Sequence, residues 1–175
     1  IENLEFGDTY FIGNNSSSIK INETIIFNNV IYAATEVGIF KADIFKADGI
    51  TRTLLIDFNN WRQLFDGTVF KGITTFENSL YVIGNSKLYT IDGASLTEKP
   101  NFNPLGQQIK NIKSSTTNLC IALDKEAIIY DNSMNLVPEF TPDLDYDYSL
   151  NTAFIEDNMV FLATKEFGIL ETTIS

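Results

Sequence analysis

Val30-Ile31-Tyr32-Ala33-Ala34-Thr35-Glu36-Val37-Gly38-Ile39-Phe40 returns near the other end of the chain as Val160-Phe161-Leu162-Ala163-Thr164-Lys165-Glu166-Phe167-Gly168-Ile169-Leu170. Each copy reads as an apolar strand closing on Ala-Thr, a short tip, then Gly-Ile and a second strand. A unit repeated along a chain decides the architecture before any single residue does. Two weaker versions lie between. One is Ser79–Ile83, with a tip at Gly84-Asn85-Ser86, followed by Lys87–Asp92; the other is Leu119–Leu123, with a tip at Asp124-Lys125-Glu126, followed by Ala127–Asp131. Tyr32, Tyr81, Cys120 and Phe161 hold the same place in the four units and stand 49, 39 and 41 residues apart. That is the period of four-stranded propeller blades. A turn containing Asn29, Asn78, Asn118 or Asn158 precedes each second strand. The expected fold is all-β, a partial β-propeller of about four four-stranded antiparallel blades.

The repeat divides the single domain 1–175 into units at 19–64, 69–108, 109–145 and 146–175, with 1–12 as a strand of a preceding blade. In the first unit Ile19, Ile21, Ile25 and Phe27 alternate irregularly, interrupted at Asn22-Glu23. Asn60–Leu64 is expected as its outer strand, and Asp57–Leu64 is the nearest approach to a helical stripe. Gly38 is expected to supply a positive φ at its hairpin tip. Four units do not normally close a ring, and open sheet edges pair with other chains unless covered. The expectation is therefore a fragment of a longer chain, stable mainly within it.

The 175 residues carry 12 basic and 23 acidic side chains, a net charge of −11. Such a chain has no basic field for phosphates, which argues against nucleic acid as partner. No run approaches the ~18 apolar residues of a membrane-spanning helix. Histidine is absent, which removes the usual general base and zinc ligand. Cys120 lies within the apolar run Leu119–Leu123 and reads as a small core residue. Asp143-Leu144-Asp145-Tyr146-Asp147 alternates acids like the start of a calcium loop, but Tyr148 and Phe154 stand where Gly and Glu are needed. The sequons at Asn14 and Asn22 are common in an Asn- and Ser-rich chain. Paired carboxylates could serve glycoside hydrolysis, yet the acids are scattered over tips and loops. The reading is of a non-enzyme with no metal and no cofactor. Most of the 14 Phe fall in strands and are read as filling between blades; Trp61 and Tyr148, beside polar turns, are the aromatics nearest to solvent and are still read as packed.

Asp8-Thr9-Tyr10-Phe11-Ile12-Gly13, Ile19-Lys20-Ile21-Asn22, Ile31–Asp43 and Phe58-Asn59-Asn60-Trp61 occur in that order. This set resembles the N-terminal β-propeller region of the PorZ family, surface components of the type IX secretion system of Bacteroidota. The Tyr-Ala-Ala-Thr…Gly-Ile-Phe unit is also similar to the propeller repeats of hybrid two-component sensors. The resemblance covers residues 8–61 and Phe161–Leu170; units two and three lack the Thr…Gly tip, and unit four has one extra residue in it. It implies a non-catalytic scaffold, exported to the outer-membrane surface or periplasm, that binds protein partners of the secretion machinery. A glycolipid, anionic lipopolysaccharide, would be met through another domain. The alternative it implies is a periplasmic sensor propeller that binds an oligosaccharide.

Binding residues belong on blade-face loops. The second-to-third-strand tips (Glu36 and Val37, Asn85 and Ser86, Asp124 and Lys125, Lys165 and Glu166) are expected to share a face with Asp66 in the loop Phe65–Thr68. At −11, this segment is not expected to grip lipopolysaccharide itself.

Overall fold

Alternating apolar strands joined by short turns give antiparallel hairpins, and these build every sheet among the described residues. The computed structural model describes residues 9–102, 107–140 and 147–174, omitting the side chains of 101 and 138–140. Among these residues there are fifteen strands and no α-helix. Blade 1 is β1 (Ile21–Phe27), β2 (Val30–Thr35), β3 (Gly38–Asp43) and β4 (Arg62–Leu64). Blade 2 is β5 (Phe70–Phe76), β6 (Ser79–Gly84), β7 (Lys87–Asp92) and β8 (Ser95–Glu98). Blade 3 is β9 (Asn111–Ser114), β10 (Asn118–Ala122), β11 (Ala127–Asp131) and β12 (Leu136–Phe140). Blade 4 is β13 (Leu150–Glu156), β14 (Met159–Thr164) and β15 (Ile169–Thr173). Each sheet is an antiparallel meander in chain order.

The turn chemistry explains the hairpins. Asn28 and Asn29, and likewise Glu77 and Asn78, both have positive φ, as a two-residue turn matched to strand twist requires. Asn85 and Ser86 do the same at the tip of blade 2. Blade 3 turns differently: the Ser115 hydroxyl accepts from the backbone N–H of Thr117 and Asn118, and Asn118 itself opens β10. The interruption at Asn22 is a β-bulge, with the register slipping between Ile21 and Glu23. The same slip falls between Phe70 and Gly72 and between Leu150 and Thr152. A bulge bends and twists the strand that carries it, here at one place in three inner strands.

Strand alternation divides the side chains between the two faces of each blade. Tyr32, Ala34 and Ile39 of blade 1 meet Phe70, Ile73, Leu80 and Val82 of blade 2. Tyr81, Ile83 and Leu88 of blade 2 meet Ile109, Ile112, Leu119 and Ile121. Cys120, Ala122, Ala127 and Ile129 of blade 3 meet Leu150, Ala153, Val160 and Leu162. The core is thus three inter-blade layers, and each fully buried Ile, Leu or Phe stabilises them by about 1.5–3 kcal/mol. The aligned residues occupy one register position: Tyr32, Tyr81, Cys120 and Phe161 lie opposite Ile25, Thr74, Lys113 and Phe154.

A fourth buried group, Ile12, Ala33, Phe40, Ala42 and Trp61, lies on the face of blade 1 turned away from blade 2. Residues 1–8 of the strand expected at 1–12 lie outside the described residues; residues 9–12 carry no ladder, and their one buried side chain is Ile12. The helical alternative at Asp57–Leu64 reduces to one 3-10 turn, Phe58–Asn60, capped by the Asp57 carboxylate on the Asn59 N–H at 3.0 Å. Trp61 and Tyr148 are packed despite their polar neighbours, at 9% and 7% exposed. Their polar atoms explain the polar neighbourhood. Trp61 Nε1 donates to the Leu55 carbonyl at 2.9 Å and the Tyr148 hydroxyl to the Lys125 carbonyl at 2.8 Å.

Candidate functional site

The Thr…Gly tip is a hydrogen-bonded staple. In blade 1 the buried Thr35 hydroxyl donates to the Gly38 carbonyl at 2.8 Å and accepts from the Val37 N–H at 3.2 Å. In blade 4 Thr164 repeats it, donating to the Gly168 carbonyl at 3.0 Å and accepting from the Phe167 N–H at 2.8 Å. Gly38 has φ +147°, and a Cβ there would lie 2.8 Å from the Leu64 carbonyl oxygen. Outer strand and tip touch too closely for any side chain.

The tips of blades 1, 3 and 4 are tied to segments that lead into an inner strand. The Glu36 N–H donates to the Lys20 carbonyl, and the Glu36 carboxylate accepts from the Lys20 N–H at 3.4 Å. Lys165 and Glu166 do the same to Ser149, whose N–H meets the Glu166 carboxylate at 2.8 Å. The Val37 carbonyl accepts from Gln63 Nε2 at 2.8 Å and from the Gly67 N–H at 3.2 Å, while the Asp66 carboxylate accepts from the same Gln63 amide at 2.9 Å. The Asp124 carbonyl accepts from the Leu150 N–H at 2.7 Å, and its carboxylate pairs with Lys110 at 3.0 Å. Lys125 pairs with Asp147. That contact holds the Asp147 carboxyl below its ordinary range and the Lys125 ammonium above it, chiefly through the shared hydrogen bond. Asn85 and Ser86 line a cleft of about 330 Å³ with Lys87, Leu88, Glu98, Lys99 and Pro100. Lys87 and Glu98 pair across it at 2.9 Å, raising the lysine pKa.

The structure therefore sorts the nine candidate residues. Glu36, Asp66, Asp124 and Glu166 use their carboxylates to hold chain segments together. Val37 serves through its carbonyl and packs its side chain against the buried layer of Ile12, Phe40 and Trp61, leaving the side chains of Asn85, Ser86 and Lys165 as the material a partner would meet. Asp143 and Asp145 of the calcium-like run lie outside the described residues. Among the described residues no group of three or more His, Cys, Asp or Glu is arranged to hold a metal. Cys120 is buried, and burial pushes its thiol up to about 12.

A polar seam along the inner strands escapes a reading based on tips. Glu23 on β1 accepts from the Ile73 N–H of blade 2 at 3.0 Å and pairs with Lys113 of blade 3. Asn22 donates to the Phe70 carbonyl at 2.7 Å. Thr74 meets Ser114 at 2.9 Å, and Thr152 donates to Asn111 at 2.8 Å. Gly72 makes room for this: a Cβ there would stand 3.2 Å from the Glu23 carboxylate and 3.3 Å from Ile83. The one signal in the sequence was Asn22-Glu23 breaking an apolar alternation.

No protein-family model and no curated protein matches this chain. Solved structures do match. The chain is similar to the AfRom2 CNH domain (12% identity, TM-score 0.62), with 90% of this chain and 53% of that one covered. The likeness is one of fold. The extracellular domain of a putative hybrid two-component system from B. thetaiotaomicron matches at 11% identity and TM-score 0.62, over 94% of this chain and 24% of that one. PorZ, described as an essential bacterial surface component of the type-IX secretion system of Porphyromonas gingivalis, matches at 16% identity and TM-score 0.52, over 89% and 21%. The chain thus spans about half or less of these structures. No helix among the described residues is long and apolar enough to cross a membrane.

Proposed function

We propose that the chain is a non-catalytic interaction scaffold of PorZ-like type, part of an exported surface propeller that binds protein partners of a secretion machinery. The observation that carries this reading is the use made of the tip face. Its carboxylates are engaged in holding backbone and lysines, so what it offers outward is a broad, locally neutralised polar surface. Acyl and glycosyl transfer need a nucleophile–base pair or two carboxylates aimed at a common point, and these acids are aimed at their own chain. With its charge of −11, the segment leaves contact with anionic lipopolysaccharide to another domain. The fold shared with a hybrid two-component extracellular domain supports a second reading, an oligosaccharide sensor.

The two readings separate in one experiment on the full-length protein. Asn85→Arg, Lys125→Asp and Lys165→Asp together alter the tip face while leaving the Thr and Gly staples intact. The scaffold reading expects loss of surface-anchored cargo in the host and no binding on a glycan array. Saturable glycan binding that the triple variant abolishes would favour the sensor.

A further inference from the structure

The tip of blade 2 is left untied, and its own sequence is the cause. Phe70 lies opposite Gly84 in the ladder, where blades 1 and 4 pair Ile21 with Thr35 and Leu150 with Thr164. Only glycine fits: a Cβ on residue 84 would stand 2.9 Å from the Phe70 ring. The glycine also takes away a hydroxyl. Thr35 and Thr164 accept from the N–H groups of Val37 and Phe167, whereas the corresponding N–H of Ser86 has no acceptor among the described residues. Asn85 repeats the contrast. Its counterparts Glu36 and Lys165 donate their N–H groups to the Lys20 and Ser149 carbonyls, and Asn85 makes no such bond among the described residues. Asn85 and Ser86 have φ +50° and +61°, and successive N–H groups in such a turn form a concavity that attracts anions.

The turn by itself is no site, because Asn28-Asn29 and Glu77-Asn78 share its conformation. The wall beside it makes the difference. Asn28 and Asn78 line a cleft that holds Asp92 and no lysine or arginine. Asn85 and Ser86 line the cleft of about 330 Å³ that holds Lys87, Glu98 and Lys99. Lys87 and Glu98 neutralise each other at 2.9 Å. Lys99 is half-buried and forms no ion pair among the described residues, and its backbone is fixed by its N–H donating to the Leu88 carbonyl at 2.8 Å. The lining thus carries one uncompensated positive charge in a chain whose net charge is −11. Two acids of the same face, Asp66 and Asp124, are already engaged with Gln63 and Lys110.

We propose that this cleft takes a single carboxylate, the side chain of an aspartate or glutamate on a protein partner. The inference rests on the scaffold reading and adds to it which tip is used and what that tip recognises. Asn85 and Ser86 supply N–H donors that the described chain has not used, and the Lys99 ammonium supplies the charge. Hydrogen bonds to an ionised group are roughly twice as strong as neutral ones. One positive charge matches one carboxylate. A phosphate, at about −1.5 to −2, would leave an excess of negative charge beside Glu98.

The test presents the full-length protein to an array of capped decapeptides that differ at one position, carrying Glu, Gln, Lys or phosphoserine in a Gly-Ser frame. Glu peptides should be retained about tenfold better than Gln peptides, the size of one charge-assisted hydrogen bond. Lys99→Gln should remove that preference and lower surface-anchored cargo in the host, while Lys165→Asp, at the tip of blade 4, should keep the preference. Phe70→Ile with Gly84→Thr rebuilds the blade 1 arrangement, gives the Ser86 N–H an internal acceptor, and should weaken retention of the Glu peptides. Equal retention of Glu and Gln, a preference that survives Lys99→Gln, or stronger retention of phosphoserine would overturn the proposal. Loss of cargo in the triple tip-face variant alongside any of these results would leave the scaffold reading standing without it.

Discussion

Thr35→Val tests whether the Thr…Gly unit is architecture. Valine matches threonine in shape, so the substitution removes the hydroxyl and leaves packing nearly unchanged. The hydroxyl is fully buried, donates to the Gly38 carbonyl at 2.8 Å and accepts from the Val37 N–H at 3.2 Å. Both partners are left in place without it. The first bond is short and well buried; the second is long and near the surface, where water can replace it. Counting about 1.5 kcal/mol for the first and about 0.5 kcal/mol for the second gives a loss of about 2 kcal/mol. In a domain of this size that lowers the melting temperature by roughly 4–8 °C. Thr164→Val removes the same pair of bonds at a tip where Glu166 and Gly168 are exposed, so solvent relieves more of the cost, and about half the effect is expected. Circular dichroism melts of the two variants, with Thr35→Ser as a control that keeps the hydroxyl, measure the series. Thr35→Val melting within 1 °C of wild type, by the roughly 2–4 °C per kcal/mol above, or below Thr164→Val, would refute the reasoning.

Three further outcomes follow from single sites. Gly38→Ala and Gly93→Ala both place alanine at positive φ, costing about 1 kcal/mol; only Gly38 adds a Cβ 2.8 Å from a carbonyl oxygen, so its melting temperature should fall further. Cys120, buried with its thiol raised to about 12, should resist a thiol reagent at pH 8 and react fully in denaturant; rapid labelling of the native chain would contradict its burial. The Asp48 carboxyl is held down to about 2, first by the Thr51 hydroxyl and then by the Ile50 and Thr51 N–H groups. A depressed carboxyl contributes stability above its ordinary value of 3.8 and loses it as pH falls through about 2. Asp48→Asn should therefore speed amide exchange at Ile50 and Thr51 at pH 6, with the difference from wild type shrinking towards pH 2.

The blade pattern was legible because strand period, turn residues and tip glycines are local properties. Asn28-Asn29 can be read as a turn wherever it lies, and Val30–Thr35 as a strand. Outer strands were harder. Ser95–Glu98 is short and largely exposed, and Leu136–Phe140 is short and outermost in its sheet, so burial imposes hardly any pattern on the first and pairing on one side only constrains the second; Pro138 is even permitted at such an edge. The use made of the tip acids was not legible, because Glu36 meets Lys20 and Glu166 meets Ser149 only after the chain has folded back sixteen or seventeen residues. Where Trp61 packs was hidden for the same reason: its polar neighbours lie beside it in sequence, but its ring joins the buried layer of Ile12 and Phe40.

The inner seam indicates how this fold separates stability from recognition. An all-apolar inner wall would join blades through packing alone, and each blade could slide along its neighbour by one residue pair. Glu23 prevents this because it needs two partners at once, the Ile73 N–H and the Lys113 ammonium, on different blades. Slippage of blade 2 by even one residue would leave the carboxylate, only 18% exposed, short of a donor, and an unpaired, partly buried charge is costly. Thr74 with Ser114 and Asn111 with Thr152 repeat the constraint at the next two joints. With register set at the inner wall and tip shape set by Thr35 and Gly38, the exposed side chain of Lys165 is free to vary without changing the blade. Substitution there should alter what the arc binds while leaving its melting temperature nearly unchanged.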